Sequence, residues 1–274
     1  MDETSTTLHT HTYDVNTHDE CGPKIRRLKF EGYSLKGRVD LTGIQKATGE
    51  AMWPCCALLA DYLNCYEVFD NKMEGQRSCQ ILELGCGLGL AGTVASVRAG
   101  RLGSVLMTDG DAGVVKRAEQ ISMTNYVEGK DAKVSHDILW WGDVDKMQKI
   151  KEGTIDGQGF DMIVASDVIY DSNAFETAKN FAATIQYLLR KDFESTTAPK
   201  CLVAFQQRSV DINVLYEAFD KVGFDFSVPE GDYYEDIFGE RNDCRTCFTD
   251  KFLLSFERRP MNKELGVTET LLIT

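Results

Sequence analysis

Residues 79–92 read CQILELGCGLGLAG, and the next apolar run, VLMTD, spans residues 105–109. The first stretch predicts a buried strand over residues 81–84 that ends in glycines and leads into a helix. Glycine lets the backbone turn sharply and approach a ligand closely, and the start of a helix offers unpaired N–H groups with a partial positive charge. Asp109 ends the second run, where its carboxylate can accept hydrogen bonds from two ribose hydroxyls. Together the stretches predict a nucleoside-cofactor site on a doubly wound sheet.

The register of the glycines separates two candidate cofactors. A GxGxxG pattern spans residues 87–92, and Asp109 lies 20 residues after Gly89, as in a dinucleotide site. The predicted strand ends earlier, however, so the turn begins at Gly85 and an acidic residue, Glu83, stands two positions before it. A carboxylate there suits the ammonium group of S-adenosylmethionine and does not suit a pyrophosphate. We therefore predict S-adenosylmethionine as the cofactor, with NAD and a purely structural glycine turn as alternatives.

The composition is that of a globular protein with an acidic surface. Of 274 residues, 43% are hydrophobic and 27% are charged, which fits one large domain or one domain with extensions. No apolar run reaches the roughly 18 residues of a membrane span, and the polar N-terminus lacks the features of a signal peptide. We therefore expect a cytoplasmic or nuclear monomer that does not bind membranes.

The net charge of −13 bears on the choice of partner. It disfavours nucleic acid, whose phosphates are normally contacted by basic patches. It favours a protein substrate with a basic segment, although the acidity could also serve only to keep the protein soluble.

The nine cysteines are scattered along the chain. Without a secretory signal they are expected to be free thiols. Cys244 and Cys247 could form half of a zinc site, but no second cysteine pair or histidine pair completes it, and we predict no metal.

Apolar periodicity predicts alternating strands and helices. Strands are expected at residues 79–84, 104–109, 132–136, 160–166 and 200–206, with helices near 51–69, 89–99, 111–126, 171–191 and 211–222. This alternation favours a parallel sheet with helices on both faces. Two further strands, 224–228 and 251–257, have no helical pattern between them. They predict a terminal antiparallel pair that completes a doubly wound, Rossmann-like seven-strand α/β sheet.

Five sequence blocks occur in an order that is typical of one enzyme family. They are TGEAMWP (48–54), ILELGCGLGLAG (81–92), VLMTDGD (105–111), DILWWG (137–142) and ASDVIYD (165–171). The chain resembles the class I seven-strand protein methyltransferases, and most closely the group with the lysine methyltransferases of calmodulin, of valosin-containing protein and of elongation factors. The resemblance covers roughly residues 48–258. It implies transfer of a methyl group from S-adenosylmethionine to a protein nitrogen, in this group that of a lysine side chain.

Composition, hydrophobic alternation and this resemblance together give the predicted organisation of the chain. Residues 1–24 are predicted to be a disordered tail and residues 25–50 a β-hairpin extension. The methyltransferase domain is predicted over 51–260, followed by a C-terminal tail over 261–274.

The predicted cofactor contacts combine the chemistry of the residues with the family blocks. They are Trp53, Glu83, Gly85, Cys86, Gly87, Gly89, Asp109, Trp141 and Ser166. Glu83 is expected either to orient the loop or to accept a hydrogen bond near the ammonium group, and Asp109 is expected to bind the ribose. Trp53 and Trp141 offer flat faces to the cofactor, whereas Trp140 is expected to be a packing residue. Asp111 is expected to cap the next helix.

The acceptor side is predicted at the end of the fourth parallel strand. Asp167 and Tyr170 are the predicted catalytic residues, because there they can position an amine. Gln206 and Arg208 are expected at the rim as substrate contacts, and the acidic segment 229–250 is either a substrate lip or a solvated insertion.

One segment departs from the family pattern. Some lysine-specific members have Glu-x-Arg at the end of the fifth strand, and here Gln206 stands in place of the acid. The acceptor could then be arginine, histidine or a small molecule, and a non-catalytic cofactor-binding scaffold is a further alternative.

Overall fold

The computed structural model describes residues 8–19, 22–33, 48–65, 79–170, 173–191, 200–229 and 251–259. These residues form a hairpin and one larger sheet with helices on both faces. The strands are β1 (Leu8–Asp19), β2 (Gly22–Tyr33), β3 (Gln80–Leu84), β4 (Ser104–Asp109), β5 (Lys133–Ile138), β6 (Met162–Ser166), β7 (Lys200–Gln206), β8 (Phe224–Ser227) and β9 (Lys251–Arg258). The helices are α1 (Pro54–Cys65), α2 (Leu90–Ala99), α3 (Ala112–Asn125), α4 (Val144–Glu152), α5 (Ala174–Leu188) and α6 (Asn213–Lys221).

The strand order of the larger sheet is β5-β4-β3-β6-β7-β9-β8. The strands β3 to β7 are parallel, and β9 is antiparallel to both β7 and β8. This arrangement confirms the predicted seven-strand class. The order reverses between β3 and β6, and in an open α/β sheet ligands bind at such a reversal, beyond the carboxyl ends of the strands. The register therefore brings the ends of β3, β4 and β6 to one crevice.

The sheet separates two apolar cores. All five residues of β3 are buried, because helices cover both faces of the strand. Ile81 packs with α1, α2 and α3, whereas Leu82 and Leu84 pack with α4, α5 and α6. Such full burial explains the nearly continuous apolar run in the sequence.

The N-terminal hairpin lies earlier in the chain than predicted. Strand β1 pairs along its whole length with β2, so the prediction of a disordered tail is wrong for residues 8–19. Its inward positions are held by specific contacts: Val15 is fully buried, and the Tyr13 hydroxyl donates a hydrogen bond to Asp61 Oδ1 at 2.5 Å. Arg26 of β2 forms an ion pair with Asp131 at 2.6 Å. Because most residues of β1 are polar, its composition alone does not reveal the alternation between inward and outward side chains.

Helix α4 was not predicted. Asp143 caps it by accepting a hydrogen bond from the Lys146 N–H at 3.0 Å, and Met147 and Ile150 are its buried residues. Its pattern is amphipathic, but the segment carries so few apolar side chains among charged ones that it gives little apolar signal. The predicted substrate lip, apart from Pro229, and the pair Cys244 and Cys247 lie outside the described residues.

Within the part of the chain that the structure describes, no helix is long and apolar enough to cross a membrane. The described residues also contain no cluster of side chains that could hold a metal ion. The cysteines whose side chains are described are free thiols.

Candidate cofactor and acceptor site

A cleft of about 460 Å³ opens at the carboxyl ends of β3, β4 and β6. Its lining residues are Gly49, Trp53, Gly85, Gly87, Asp109, Gly110, Asp111, Val114, Leu139, Trp140, Trp141, Ser166, Asp167, Val168, Tyr170, Thr177 and Asn180. The volume lies within the range of small-molecule sites. Most of the predicted site residues thus line one cavity at the crevice where the strand order reverses.

The glycine loop forms one wall of this cleft, and it brings the backbone to the cleft surface because its glycines carry no side chain. Gly85 and Gly87 have φ angles of 67° and 52°, a region that other residues rarely adopt. A Cβ atom on Gly85 would lie 2.6 Å from Val168 Cγ1, and one on Gly87 would lie 3.3 Å from the Gly49 carbonyl oxygen. The backbone can therefore approach a ligand only because both positions are glycine. Gly89 is the N-cap residue of helix α2 and does not line the cleft.

Asp109 presents its carboxylate at the end of β4. Oδ2 accepts a hydrogen bond from the Gly87 N–H at 3.2 Å, and Oδ1 accepts one from the Asp111 N–H at 3.1 Å. Burial raises the pKa of Asp109, and these N–H groups oppose that shift. Asp111 caps α3, as predicted, by accepting hydrogen bonds from the Gly113 and Val114 N–H groups at 2.6 and 3.2 Å. Each carboxylate oxygen of Asp109 keeps a lone pair for a ligand hydroxyl.

The three tryptophans all line the cleft. Trp141 packs edge-on against Phe181 with ring centres 4.9 Å apart. Trp140 is 68% exposed, and a Cβ atom on Gly110 would lie 3.3 Å from its ring. The prediction that Trp140 is a packing residue is therefore wrong. It follows the end of β5, where the chain leaves the sheet, and its side chain is largely exposed.

Glu83 and Cys86 lie beneath the glycine loop and do not line the cleft. Glu83 is 1% exposed, and its Oε2 accepts a hydrogen bond from the Gly92 N–H at 3.0 Å. Burial raises the pKa of Glu83 to about 8. The buried Cys86 donates its N–H to the Thr108 carbonyl oxygen at 2.9 Å. Of the two predicted roles of Glu83, the geometry supports the one that orients the loop, since the side chain points from β3 toward α2.

The raised pKa of Glu83 gives a pH dependence of folding. Between the ordinary pKa of 4.5 and the folded value of about 8, the folded state binds more protons than the unfolded state. The free energy of unfolding should therefore fall as pH rises through this window. Glu83→Gln keeps the acceptor for Gly92 and should flatten this decline in melting curves between pH 5 and 8.5. The exposed Glu128→Gln should leave the decline unchanged. If the free energy of unfolding of Glu83→Gln fell with pH as steeply as that of wild type, Glu83 would not be the source of the pH dependence.

Asp167 is held at the end of β6 by a pair of short contacts. Its side chain is 1% exposed, and Arg208 donates Nη1 to Oδ1 at 2.9 Å and Nη2 to Oδ2 at 2.5 Å. Asp167 has a φ of 56°, and its N–H donates to the Ala204 carbonyl oxygen at 2.8 Å. Burial raises the pKa of Asp167, and Arg208 opposes the shift. A non-glycine residue in this backbone region is uncommon and often marks a functional site.

Gln206, Arg208 and Tyr170 surround that pair. Gln206 Oε1 accepts a hydrogen bond from Arg208 Nη2 at 2.6 Å, and the Arg208 guanidinium lies 4.9 Å from the Trp53 ring centre. Tyr170 is 41% exposed and lines both the cleft and a shallow depression beside Gln206 and Arg208. The predicted rim residues are thus brought next to the predicted catalytic ones.

Two polar residues of α5 were missed by sequence analysis. Thr177 and Asn180 line the cleft, and Asn180 lies against Gly142, where an added Cβ atom would be 3.4 Å from its carboxamide. Their spacing of three residues puts them on one face of the helix, which is the signal that could have identified them. Asp137, at the end of β5, pairs with Lys146 at 2.6 Å and lies outside the cleft lining.

The residues present fit S-adenosylmethionine. Asp109 can accept from the ribose hydroxyls, and the backbone of Gly85 and Gly87 leaves room for the ligand. Trp140 and Leu139 offer apolar surface for a flat base. The arrangement is that of a nucleoside-cofactor site whose lining extends to the 41% exposed Tyr170.

The fold and the cleft define an S-adenosylmethionine-dependent methyltransferase of class I. The profile of the lysine methyltransferase family matches residues 40–220, about two thirds of the chain, and the chain therefore belongs to the lysine methyltransferase family. No curated protein matches the sequence.

Several solved structures are similar to this chain at low sequence identity. An S-adenosylmethionine-dependent methyltransferase from Agrobacterium tumefaciens superposes with a TM-score of 0.51 at 12% identity, over 89% of this chain and 76% of its own. The magnesium protoporphyrin IX methyltransferase of Synechocystis, with bound S-adenosylmethionine, gives 0.46 at 13% identity, over 82% and 87% of the two chains. A TehB-like S-adenosylmethionine-dependent methyltransferase from Corynebacterium glutamicum gives 0.45 at 15% identity, over 73% and 88%.

Proposed function

We propose that this enzyme methylates the side-chain nitrogen of a lysine in a protein substrate. The match to the lysine methyltransferase family over residues 40–220 carries this proposal. The site supports it, because the cleft that holds the cofactor residues is also lined by Asp167 and by Tyr170, which is 41% exposed. A long, flexible lysine side chain could reach the cleft from the surface along Tyr170.

The chain contributes binding, alignment and exclusion of water. When bound, S-adenosylmethionine supplies an activated methyl group on a cationic sulfur. Asp109 and the glycine loop would hold the cofactor, and Trp53 and Tyr170 would flank the incoming side chain. Free lysine has a pKa near 10.4 and must lose its proton to act as a nucleophile. Burial lowers the pKa of an amine, and alignment of the reacting atoms supplies much of the acceleration.

The partner that we propose is a protein with a basic segment, met in the cytoplasm or nucleus. The net charge of −13 supports it, because opposite charge speeds the encounter. The segment Ser166-Asp167-Val168-Ile169 lacks the Asn/Asp-Pro-Pro-aromatic motif that base N-methyltransferases often have at this place. The negative net charge and the absence of this motif both argue against a nucleic acid substrate.

A second candidate acceptor is arginine, histidine or a small molecule. The observation that favours it is Gln206, because a neutral amide stands beside Arg208 where some lysine-specific relatives have a carboxylate. The acceptor side of this site then carries one negative charge less than that of those lysine-specific relatives.

The experiment that tests the proposed function is label transfer in a lysate. The purified enzyme is incubated with S-adenosylmethionine carrying an isotopic methyl group, and labelled bands are analysed by mass spectrometry. We expect methyl-lysine within a sequence rich in basic residues. Label confined to nucleic acid or small molecules, or methyl groups on arginine or histidine only, would overturn the proposal.

Tyr170→Phe tests the acceptor side separately from the cofactor side. Removing one hydroxyl should lower kcat by roughly 2- to 12-fold, the scale of one hydrogen bond. The Kd for S-adenosylmethionine, measured by calorimetry, should not change. Equal losses in cofactor affinity and rate would instead place Tyr170 in the cofactor pocket.

A further inference from the structure

The acceptor corner, defined here as Trp53, Asp167, Tyr170, Gln206 and Arg208, has an unusual charge balance for a site that takes a lysine. Asp167 is its one carboxylate among the described residues. Both oxygens of Asp167 accept hydrogen bonds from Arg208, at 2.9 and 2.5 Å. The negative charge is therefore already matched by a cation within the corner itself.

The groups around the corner do not restore a negative charge. From β9, the buried Lys251 is close enough to favour the ionised form of Asp167. From α1, the nearby Cys55 is a buried thiol whose pKa is raised well above its ordinary value, mainly by burial, so that it stays neutral. Tyr170 contributes a neutral hydroxyl, and Gln206 contributes a neutral amide that is bonded to Arg208 at 2.6 Å. An ammonium ion entering here would meet Arg208 with no unpaired carboxylate among the described residues.

We propose that the acceptor corner admits its amine only in the uncharged form and that Gln206 is the residue that sets this preference. The inference rests on the proposed function and narrows its substrate class to amines that are already deprotonated when they bind. Among protein amines this favours those whose pKa is lowered by their own surroundings. A glutamate at position 206 would keep the acceptor for Arg208 and give the corner two carboxylates for one guanidinium, which would let the corner bind an ammonium ion.

The transfer step is balanced without a base from the protein. The lone pair of the neutral nitrogen forms the N–C bond. The methyl–sulfur bond breaks, and its electron pair stays on sulfur. The methylated nitrogen is then an ammonium, which releases its proton to water. An amine that entered as ammonium would have to lose one proton more inside the corner, where Asp167 is bound to Arg208.

The pH dependence of kcat/KM distinguishes a substrate amine that binds uncharged from one that binds as an ammonium ion. With a neutral amine and no enzymatic base, kcat/KM should rise about tenfold per pH unit between about pH 6.5 and 9, following the neutral fraction of an amine with a pKa near 10.4. With a second carboxylate beside Arg208, the ammonium can bind and transfer its proton to that carboxylate, which keeps the proton during methyl transfer. The profile then levels off at a lower pH.

The test uses the full-length enzyme and the peptide identified by label transfer. Wild type should follow the steep profile. Gln206→Glu should level off earlier and raise kcat/KM at pH 7 by roughly fivefold, the upper range for one exposed charge pair. The matched control Gln207→Glu adds the same charge at the neighbouring, exposed position and should behave as wild type.

A second readout does not depend on the variants. A peptide in which γ-thialysine replaces the target lysine carries a less basic amine of nearly the same shape. Wild type should use it better at pH 7, by up to about tenfold for each unit of lowered pKa. A flat wild-type profile near pH 7 with no gain for the thialysine peptide would overturn the inference while leaving the proposed function intact. Absence of a methylated peptide at every pH would overturn both.

Discussion

Asp109→Ala is expected to weaken the binding of S-adenosylmethionine by about 1.5–3 kcal/mol, or roughly 10- to 150-fold in Kd. The carboxylate lines the cleft at the end of β4, where we expect it to bind the ribose, and it also accepts the Gly87 N–H at 3.2 Å. The substitution thus removes the acceptor for the ligand hydroxyls and one contact that holds the glycine loop. Titration calorimetry with S-adenosylmethionine and with its demethylated product measures the loss.

Asp137→Ala is the matched control for this prediction. Asp137 lies on the neighbouring strand β5 and pairs with Lys146 outside the cleft lining. Its removal should change Kd by less than about twofold, because surface ion pairs contribute little. Similar Kd values for wild type and Asp109→Ala would contradict the assignment of the ribose position.

Arg208→Met is expected to lower the free energy of unfolding by about 2–4 kcal/mol. Breaking a buried ion pair costs 3–5 kcal/mol, because the remaining charge is left without a partner. Asp167 is 1% exposed and Arg208 is 26% exposed, so the cost should lie toward the lower end of that range. Urea unfolding monitored by circular dichroism gives the value.

The sign of the pH dependence identifies the cause of that loss. Burial already raises the pKa of Asp167, and without Arg208 it should rise further. A folded state that holds a proton more tightly than the unfolded state loses stability as pH rises. The deficit of Arg208→Met should therefore be smaller at pH 5 than at pH 8. The double variant Asp167→Asn with Arg208→Met should recover part of the stability, and a deficit that is unchanged by pH and by the second substitution would contradict the unpaired-charge account.

The fold and the cofactor end of the site were predictable because their signals are local. The turn after Leu84 requires glycine at every second position, and the length of strand β4 places Asp109 at its end. The strand β3 is recognised by an apolar run that only burial on both faces explains. The alternation of strands and helices then leaves few topologies, so the crevice follows from the order of the elements.

The sequence is less informative where the direction of a side chain depends on tertiary packing. Glu83 belongs to the same motif as the glycines, but its side chain turns to the Gly92 N–H beneath the loop. Trp140 and Trp141 are adjacent aromatic residues, and sequence cannot tell that both reach the cleft. The ion pair of Asp167 with Arg208 joins the ends of two neighbouring strands, and whether two such side chains meet is decided by geometry rather than by spacing.

The polar elements escaped detection for a related reason. Strand β1 alternates polar residues with a few inward side chains such as Tyr13 and Val15, and its stability comes from contacts with α1 and β2. Helix α4 buries Met147 and Ile150 between charged residues. Hydrophobic periodicity finds elements that bury much apolar surface, and these two bury little.

The central claim of this account is that a lysine nitrogen of a protein is the methyl acceptor. The most direct measurement compares three synthetic peptides that share the sequence around the labelled site and differ only in carrying lysine, arginine or histidine there. Mass spectrometry after incubation with S-adenosylmethionine should show methylation of the lysine peptide by wild type, strongly reduced turnover with Asp109→Ala, and none on the other two peptides. Methylation of the arginine or histidine peptide at a rate equal to or above that of the lysine peptide would contradict the claim.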